Sequence, residues 1–325
     1  MSENVIQNRV ILDCDPGMDD SMAIVMAEKS PTIDLLGVVS SHGNYPIEVT
    51  TINALKTLEM LGADDVPVVK GHGKPLMRVS PSDPFSHGDD GQANNNLPEP
   101  SKKMLNVPSS KFIVDQVNAF PGEITYVVTG PMTNLAAAII ADPELPKKLR
   151  RVVAISGAFA LNAAAYANAT GDTPQSEWNV YVDPEAAKIV YETVENLYAI
   201  GLDVATHFDV DFSDDQLNSL KASGRPEARF LSTAVDFVTN RGYGAYCTII
   251  DCMAIASVVE PDIIEFFEGH VGIETMSELC RGMTVLDSRH HHVWEHLPIV
   301  NIARTADYGR FLNLVTATVL QGEEV

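Results

Sequence analysis

The segment VILDCDPGMDD at positions 10–20 is the part of the chain that decides its fold class. Residues 10–12 are an apolar run typical of a strand that is buried on both faces of a parallel sheet. Pro16 and Gly17 predict a tight turn after this strand. Residues 19–29 then have apolar positions at helical spacing, which indicates a helix. A strand that passes through a short turn into a helix begins a βα unit, so we expect an α/β protein.

The same alternation of strands and helices continues along the chain. We predict further strands at 33–39, 124–128, 152–155 and 197–202. We predict further helices that begin at Pro46 and at about 133–140, 184–194, 213–222, 226–239 and 251–259. A β-hairpin of 282–286 with 297–302 and a closing helix from Ala306 complete the pattern. Right-handed crossovers then imply one domain over residues 1–325, with a mostly parallel, Rossmann-like central sheet flanked by helices.

The charge of the chain limits its partners. Its 44 acidic and 22 basic residues give a formal net charge of −22. Such a protein repels phosphate backbones and anionic lipid surfaces, so we expect no nucleic-acid partner and no membrane partner. No apolar run reaches the roughly 18 residues of a membrane span. A neutral small molecule remains the favoured substrate.

The cysteines and the beginning of the chain indicate the compartment. Cys14, Cys247, Cys252 and Cys280 form no CxxC pair, and the chain is too long for a disulfide scaffold. The first residues lack the basic and apolar regions of a signal peptide. We therefore expect a reduced, cytoplasmic protein.

A cluster of carboxylates follows the first strand. Asp13, Asp15, Asp19 and Asp20 lie within eight residues, where their negative charges would repel one another. A bound cation removes that repulsion, and an all-oxygen ligand set suits calcium or magnesium better than zinc. Cys14 points away from its neighbours if the strand continues, and is not expected to be a ligand. The segment therefore predicts a divalent-metal site.

Asp13 to Asp20 resembles the signature of the inosine-uridine-preferring nucleoside hydrolase family, and further motifs extend the resemblance over most of the chain. These motifs follow in the family's order: Gly43-Asn44, residues 87–91 (HGDDG), 129–134 (TGPMTN), 177–180 (EWNV), 183–187 (DPEAA), 201–203 (GLD), Asp251 and 281–285 (RGMTV).

The resemblance implies an activity and a cofactor. Family members use calcium to hydrolyse the N-glycosidic bond of ribonucleosides, giving ribose and a free base, as in purine and pyrimidine salvage. By motif match, Asp15, Asp20 and Asp251 would be carboxylate ligands of the calcium, with the main-chain carbonyl of Thr129. Asp15 would also be the general base for water, whose pKa a divalent ion lowers. The resemblance further suggests a homodimer or a homotetramer.

The ribose half of the expected site also comes from the resemblance. Asp19, Asn44, Glu177 and Asn179 match family residues that bind the sugar hydroxyls. Trp178 matches an aromatic residue near the substrate, although a core aromatic on a strand is an alternative interpretation.

The expected base half of the site differs from the family pattern. Well-studied members have a histidine directly before the third aspartate ligand, and here that position is Ile250, which cannot donate a proton. His87 is then the best candidate for contact with the base, and it lies in a long polar loop predicted at 78–110. Tyr243 and Tyr246 are weaker candidates.

A second difference concerns the sugar. Asp172 stands where the family often has an asparagine that contacts the ribose, and the spacing to Glu177 is one residue shorter. We expect Asp172 to reach a hydroxyl.

Two other functions remain open from the sequence. Asp13-Cys14-Asp15 also fits the beginning of haloacid-dehalogenase-like magnesium phosphatases, in which the first aspartate attacks phosphorus. Alternatively, the loss of the histidine at Ile250 suggests a catalytically silent, calcium-dependent nucleoside-binding protein.

Overall fold

The computed structural model describes residues 8–81 and 85–321 of the chain. Within these ranges, nine strands are present: β1 (Asn8–Cys14), β2 (Ile33–Ser40), β3 (Val68–Lys70), β4 (Ile124–Val128), β5 (Arg151–Ile155), β6 (Leu197–Ile200), β7 (Ile264–Ile273), β8 (Thr284–Asp287) and β9 (Ile299–Ala306). They form one sheet in the order β3-β2-β1-β4-β5-β6-β9-β7-β8. Strands β1 to β6 and β9 are parallel, while β7 is antiparallel to both β8 and β9. The predicted α/β fold with a mostly parallel sheet is confirmed.

The helices of the described residues connect the strands and cover both faces of the sheet. They are α1 (Met18–Lys29), α2 (Ile47–Leu61), α3 (Ser109–Ala119), α4 (Thr133–Ala141), α5 (Leu145–Lys148), α6 (Ala164–Ala167), α7 (Trp178–Val182), α8 (Pro184–Thr193), α9 (Leu202–Ala205), α10 (Asp214–Ala222), α11 (Pro226–Thr239), α12 (Cys252–Val259) and α13 (Tyr308–Val319). Two 3₁₀ turns lie at Ala245–Thr248 and Pro261–Ile263.

Apolar side chains form a separate core on each face of the sheet. On one face, α1, α2, α11, α12 and α13 pack against the sheet, and on the other face α3, α4 and α8 do. Because the central parallel strands are covered on both sides, their residues are mostly apolar, as in β4, where all five residues are buried. None of the helices in the described part of the chain has both the length and the apolar composition needed to cross a bilayer.

The predicted hairpin at the end of the chain is wrong. Strands β8 and β9 each pair with β7, which lies between them in the sheet. Sequence reasoning missed β7 because Glu265, Glu268 and His270 interrupt its apolar pattern at positions that are not fully buried. The short strand β3 and helix α3 were also missed, and the polar loop predicted to reach residue 110 ends where α3 begins.

The strand order reverses at β1, which pairs with β2 on one side and with β4 on the other. From β1 the chain proceeds to β2 and β3 on one side, and then crosses to β4 on the other side. At such a reversal the loops after two neighbouring strands diverge, which leaves a crevice at the carboxyl ends of the strands. The residues after β1 and β4, including Asp15 and Thr129, line this crevice.

Candidate active site

A cavity of about 380 Å³ opens at the carboxyl ends of the parallel strands. Its lining includes nearly all of the predicted site residues, namely Asp15, Asp19, Asn44, His87, Thr129, Glu177, Trp178, Asn179 and Asp251. Asp20 lies directly behind Asp19 in the first turn of α1 and is buried. The structure therefore brings together residues that are up to 236 positions apart, from Asp15 to Asp251, at one end of the sheet.

Three buried carboxylates converge at the floor of the cavity. Asp19, Asp20 and Asp251 each offer an oxygen atom within 4.8 Å of the oxygens of the other two. Two of them, Asp20 and Asp251, were predicted as metal ligands, whereas Asp19 was predicted to bind ribose. Asp15 lines the same cavity, and its charge contributes to the raised pKa of Asp251.

The pKa values of these carboxyls are raised because burial disfavours their charged forms. Burial raises the pKa of Asp19 to about 7 and, with repulsion from Asp19, that of Asp20 to about 6. Burial and repulsion from neighbouring aspartates also raise the pKa values of Asp15 and Asp251. A cation bound at the floor of the cavity would therefore stabilise the charged forms of these carboxylates.

This donor set fits a hard divalent cation. Asp19 Oδ1 is buried and, among the described residues, accepts no hydrogen bond. The three converging side chains offer only oxygen ligands, which calcium and magnesium prefer. The Thr129 carbonyl accepts a hydrogen bond from Asn179 Nδ2 at 2.6 Å and keeps a second lone pair for an ion.

Backbone and side-chain donors fix the carboxylates in place. Asp20 Oδ1 accepts hydrogen bonds from the Thr129 hydroxyl at 2.8 Å and from the backbone N–H of Asp15 at 3.2 Å. Its Oδ2 accepts from the backbone N–H of Gly17 at 3.0 Å. Asn44 donates its backbone N–H to Asp15 Oδ2 at 2.6 Å and its side-chain amide to Asp20 Oδ2 at 3.3 Å. Asn44 therefore connects the two carboxylates, in addition to its place in the cavity wall.

Asp13 has a supporting position outside the cavity. Its carboxylate is fully buried and accepts hydrogen bonds from the Tyr126 hydroxyl at 2.7 Å and from Asn134 Nδ2 at 2.9 Å. Burial raises its pKa to about 7. A carboxylate that is enclosed in this way cannot attack phosphorus in a substrate, so the phosphatase interpretation is wrong. Cys14 likewise packs in the apolar core.

His87 approaches the first turn of α1 from the long loop. Its Nδ1 accepts a hydrogen bond from the backbone N–H of Met18 at 3.3 Å, so the proton of a neutral ring is on Nε2. Nδ1 also lies 3.8 Å from Asp19 Oδ1. Gly17 is needed for this approach, because a Cβ atom there would lie 2.5 Å from His87 Nδ1. The loop is anchored by Gln92, whose amide donates to the hydroxyl of Ser21 at 2.9 Å.

The short helix α7 supplies another wall of the cavity. Glu177 is its N-cap and accepts hydrogen bonds from the backbone N–H groups of Asn179 and Val180 at 2.7 and 3.0 Å. Burial raises the pKa of Glu177 to about 7. Trp178 lines the cavity, and its ring stacks on Tyr181 at a centroid distance of 6.1 Å. The alternative of a core aromatic on a strand is therefore wrong for Trp178.

Asp172 does not join the other predicted residues. It is exposed, hydrogen-bonds to Tyr181 and does not line the cavity. Asn168 and Thr170 occupy the cavity wall instead, and sequence reasoning missed both. The signal was present in the spacing, because the segment before Glu177 is one residue shorter than the family pattern.

The remaining wall is formed by residues 238–250. It contains Tyr243, Tyr246 and Ile250, as well as Arg241, which sequence reasoning also missed. This wall faces the cavity with two aromatic rings, the aliphatic side chains of Val238 and Ile250, a thiol and a guanidinium group. It is suited to a planar organic group, whereas the walls with Asn44, Glu177 and Asn179 are suited to hydroxyl groups.

Comparisons with known proteins identify the family of this chain. The model of the family described as inosine-uridine preferring nucleoside hydrolase matches residues 10–313. The chain is 32% identical to probable uridine nucleosidase 1 of Oryza sativa subsp. japonica, over 97% of each chain. It is 35% identical to the pyrimidine-specific ribonucleoside hydrolase RihA of Citrobacter koseri, over 86% of this chain and 88% of that one. The solved structure of the plant nucleoside hydrolase PpNRh1 superposes with a TM-score of 0.83 at 29% identity, covering 97% of this chain and 99% of the other.

Proposed function

Because this chain belongs to the inosine-uridine preferring nucleoside hydrolase family and is a nucleoside hydrolase, we propose that it uses calcium to release ribose and a free pyrimidine base from ribonucleosides, with uridine as a substrate. The preference for pyrimidines is supported by the relatives named as uridine- and pyrimidine-specific enzymes.

The observation that carries this function is the position of the carboxylates. Asp19, Asp20 and Asp251 converge at the floor of a cavity whose walls also carry amide and carboxylate groups. A vicinal diol offers two oxygens to an ion and two hydroxyl donors to the neighbouring side chains. A ribonucleoside therefore matches both the floor and the walls.

By motif match, Asp15, Asp20, Asp251 and the carbonyl of Thr129 would hold the calcium. Asp19 Oδ1, which accepts no hydrogen bond among the described residues, would accept one from a ribose hydroxyl. When bound, calcium supplies positive charge that lowers the pKa of water and orients the diol. The carboxylate of Asp15 then takes a proton from the attacking water. Asp15 suits this role by position, because it lines the cavity and its Oδ2 is held by the backbone N–H of Asn44.

Asn44, Glu177 and Asn179 would orient the sugar. The side-chain amide of Asn179 donates to the Thr129 carbonyl, which leaves its Oδ1 to accept a hydrogen bond from a hydroxyl. Negative charge from the surrounding carboxylates stabilises the oxocarbenium-like sugar that forms as the C–N bond breaks. The sugar is thus held by groups that also favour the transition state.

His87 and Trp178 would contact the base. Because Nδ1 accepts from the Met18 N–H, a neutral His87 ring carries its proton on Nε2, from which it can donate a hydrogen bond to the base. Trp178 offers a ring face for stacking. Neither contact depends on the position now occupied by Ile250, so catalysis does not require a histidine there.

The test is the release of reducing sugar from uridine, cytidine, inosine, guanosine and adenosine by purified protein. We expect ribose to be released from uridine with calcium present, and release to stop when a chelator is added. Tight binding of uridine without turnover would instead support the silent binding protein, and full activity in excess chelator would contradict the calcium dependence.

We also propose that the enzyme acts in nucleoside salvage in the cytoplasm, as a homodimer or homotetramer. The four cysteines are free thiols, which suits a reducing compartment. Light scattering on the purified protein tests the assembly, and a monomer would contradict it.

A further inference from the structure

Arg241 lies in the wall of the cavity directly after the end of α11. Its guanidinium carbon lies 3.9 Å from the ring centroid of Phe85 and 4.6 Å from that of Phe237. Both contacts are made to ring faces. They hold the planar guanidinium while its N–H groups, which lie in the plane, stay available as donors.

The charge around Arg241 is unusual for this protein. The cavity is lined by the carboxylates of Asp15, Asp19, Glu177 and Asp251, and Arg241 is its one lysine or arginine among the described residues. In the described ranges, the guanidinium makes these two aromatic contacts and no ion pair. In so acidic a protein, an arginine with only a structural role would be expected to pair with a carboxylate. Arg241 instead packs on Phe85 and Phe237, which favours a hydrogen-bond acceptor on the substrate as its partner.

The reaction creates such a partner. Water forms a bond to the anomeric carbon and loses a proton to Asp15, while the glycosidic C–N bond breaks and its electron pair goes to the base. In a pyrimidine this negative charge is shared with the carbonyl oxygens, until the base takes up a proton from solvent. A donor aimed at such an oxygen stabilises the transition state more than the ground state.

We propose that Arg241 is a catalytic residue that donates hydrogen bonds to a carbonyl oxygen of the departing base and stabilises its negative charge. This rests on the proposed function and makes it more specific, because it selects bases that carry a carbonyl group. Arg241 thereby supplies activation of the leaving base that Ile250 cannot supply.

The experiment compares two substrates that differ in how much help the leaving group needs. Uracil leaves poorly unless its charge is stabilised, whereas p-nitrophenolate is a good leaving group by itself. Arg241→Met should lower kcat/KM for uridine about 100-fold, as for the loss of one donor to a developing anion. For p-nitrophenyl β-D-ribofuranoside the same variant should stay within about twofold of the unchanged enzyme.

Two further variants separate the donor from its packing. Arg241→Lys keeps the charge but not the planar fork, and should recover part of the lost activity on uridine. Arg304→Met removes another arginine that packs on an aromatic ring, 4.7 Å from the centroid of Phe267 and outside the cavity. It should leave both substrates unaffected, which controls for the general loss of a cation–π contact.

Equal losses on the two substrates would overturn the proposal, because they would show that Arg241 only maintains the shape of the cavity or closes its mouth. Unchanged activity of Arg241→Met on uridine would overturn it as well. Failure of the proposed function looks different: the unchanged enzyme with calcium would then release no ribose from any ribonucleoside.

Discussion

The substitution Asp251→Asn should make the metal-free protein more stable, although it alters a fully buried residue of the active site. Asp251 is surrounded by Asp15, Asp19 and Asp20, all of which raise its pKa by repulsion, in addition to the effect of burial. Asparagine has nearly the same shape and no charge. The substitution therefore removes one source of repulsion without opening a cavity.

The size of the effect follows from the distances. Two unit charges 4.8 Å apart repel by about 3.5 kcal/mol at an effective dielectric constant of about 20. For a chain of 325 residues, the entropy of unfolding is about 0.7 kcal/mol/K, so about 3.5 kcal/mol corresponds to about 5 °C in Tm. We expect Asp251→Asn to unfold about 5 °C higher than the unchanged protein at pH 7.5 in a chelator.

The pH dependence gives a second signature. A raised carboxyl pKa means that the folded state binds a proton more tightly than the unfolded state, so the associated stability is present below pH 4 and is lost as the pH rises through the folded pKa. For Asp20 the pKa rises from 3.8 to about 6, which corresponds to about 3 kcal/mol lost between pH 4 and pH 7. The advantage of Asp251→Asn should therefore disappear near pH 4.

The assay is thermal unfolding with chelator and with excess calcium. At 100 times its Kd, calcium should stabilise the unchanged protein by about 2.7 kcal/mol, or about 4 °C, and Asp251→Asn should lose most of this response. The matched control is Asp115→Asn, an exposed helical aspartate that pairs with Lys111, which should behave as the unchanged protein does. The reasoning is refuted if Asp251→Asn is the less stable protein in chelator at pH 7.5, or if its calcium response is unchanged.

Three further predictions concern catalysis. Gly17→Ala should lower kcat/KM for uridine by about 10²-fold, because the new Cβ would lie 2.5 Å from Nδ1 of His87 and displace the ring. The control is Gly224→Ala, whose Cβ would meet no atom within 4 Å and which should leave kcat/KM unchanged. Asp15→Asn should lower kcat by about 10²- to 10⁴-fold with an unchanged circular dichroism spectrum, and a loss of less than tenfold would exclude Asp15 as the general base. 2′-Deoxyuridine should have a kcat/KM about 10- to 100-fold below that of uridine, because it lacks the 2′-hydroxyl that would bind the charged groups at the floor of the cavity. Equal values of kcat/KM for the two substrates would show that the diol is not needed.

The acidic floor of the cavity could be predicted because most of it is local in sequence. Asp15, Asp19 and Asp20 are brought together by one strand, one turn and the first turn of one helix, and each of these has a clear pattern. Asp251 is different, since nothing near it indicates that it returns to the same floor. Its place was predicted only by resemblance to a family, and the structure shows that it meets Asp19 and Asp20 within 4.8 Å.

Other parts of the prediction failed because tertiary packing decided them. Asp172 was expected at the ribose, but a segment shortened by one residue leaves it exposed beside Tyr181, with Asn168 in the cavity wall. Strand β7 carries charged residues because it lies near the edge of the sheet, where one face is partly exposed. In both cases the local sequence is compatible with more than one position, and contacts with residues distant in sequence decide which position is adopted.

The base half of the cavity is hard to predict for a physical reason. A ribose and its metal demand the same charges at the same distances in every substrate, so the residues that bind them form a fixed pattern. A base can be bound and activated by any donor that reaches it, from whichever segment passes nearby. Here the loop with His87 and the end of α11 with Arg241 come from segments more than 150 residues apart in sequence. The replacement of a histidine by Ile250 therefore need not abolish activity, because the same charge can be stabilised from the opposite end of that wall.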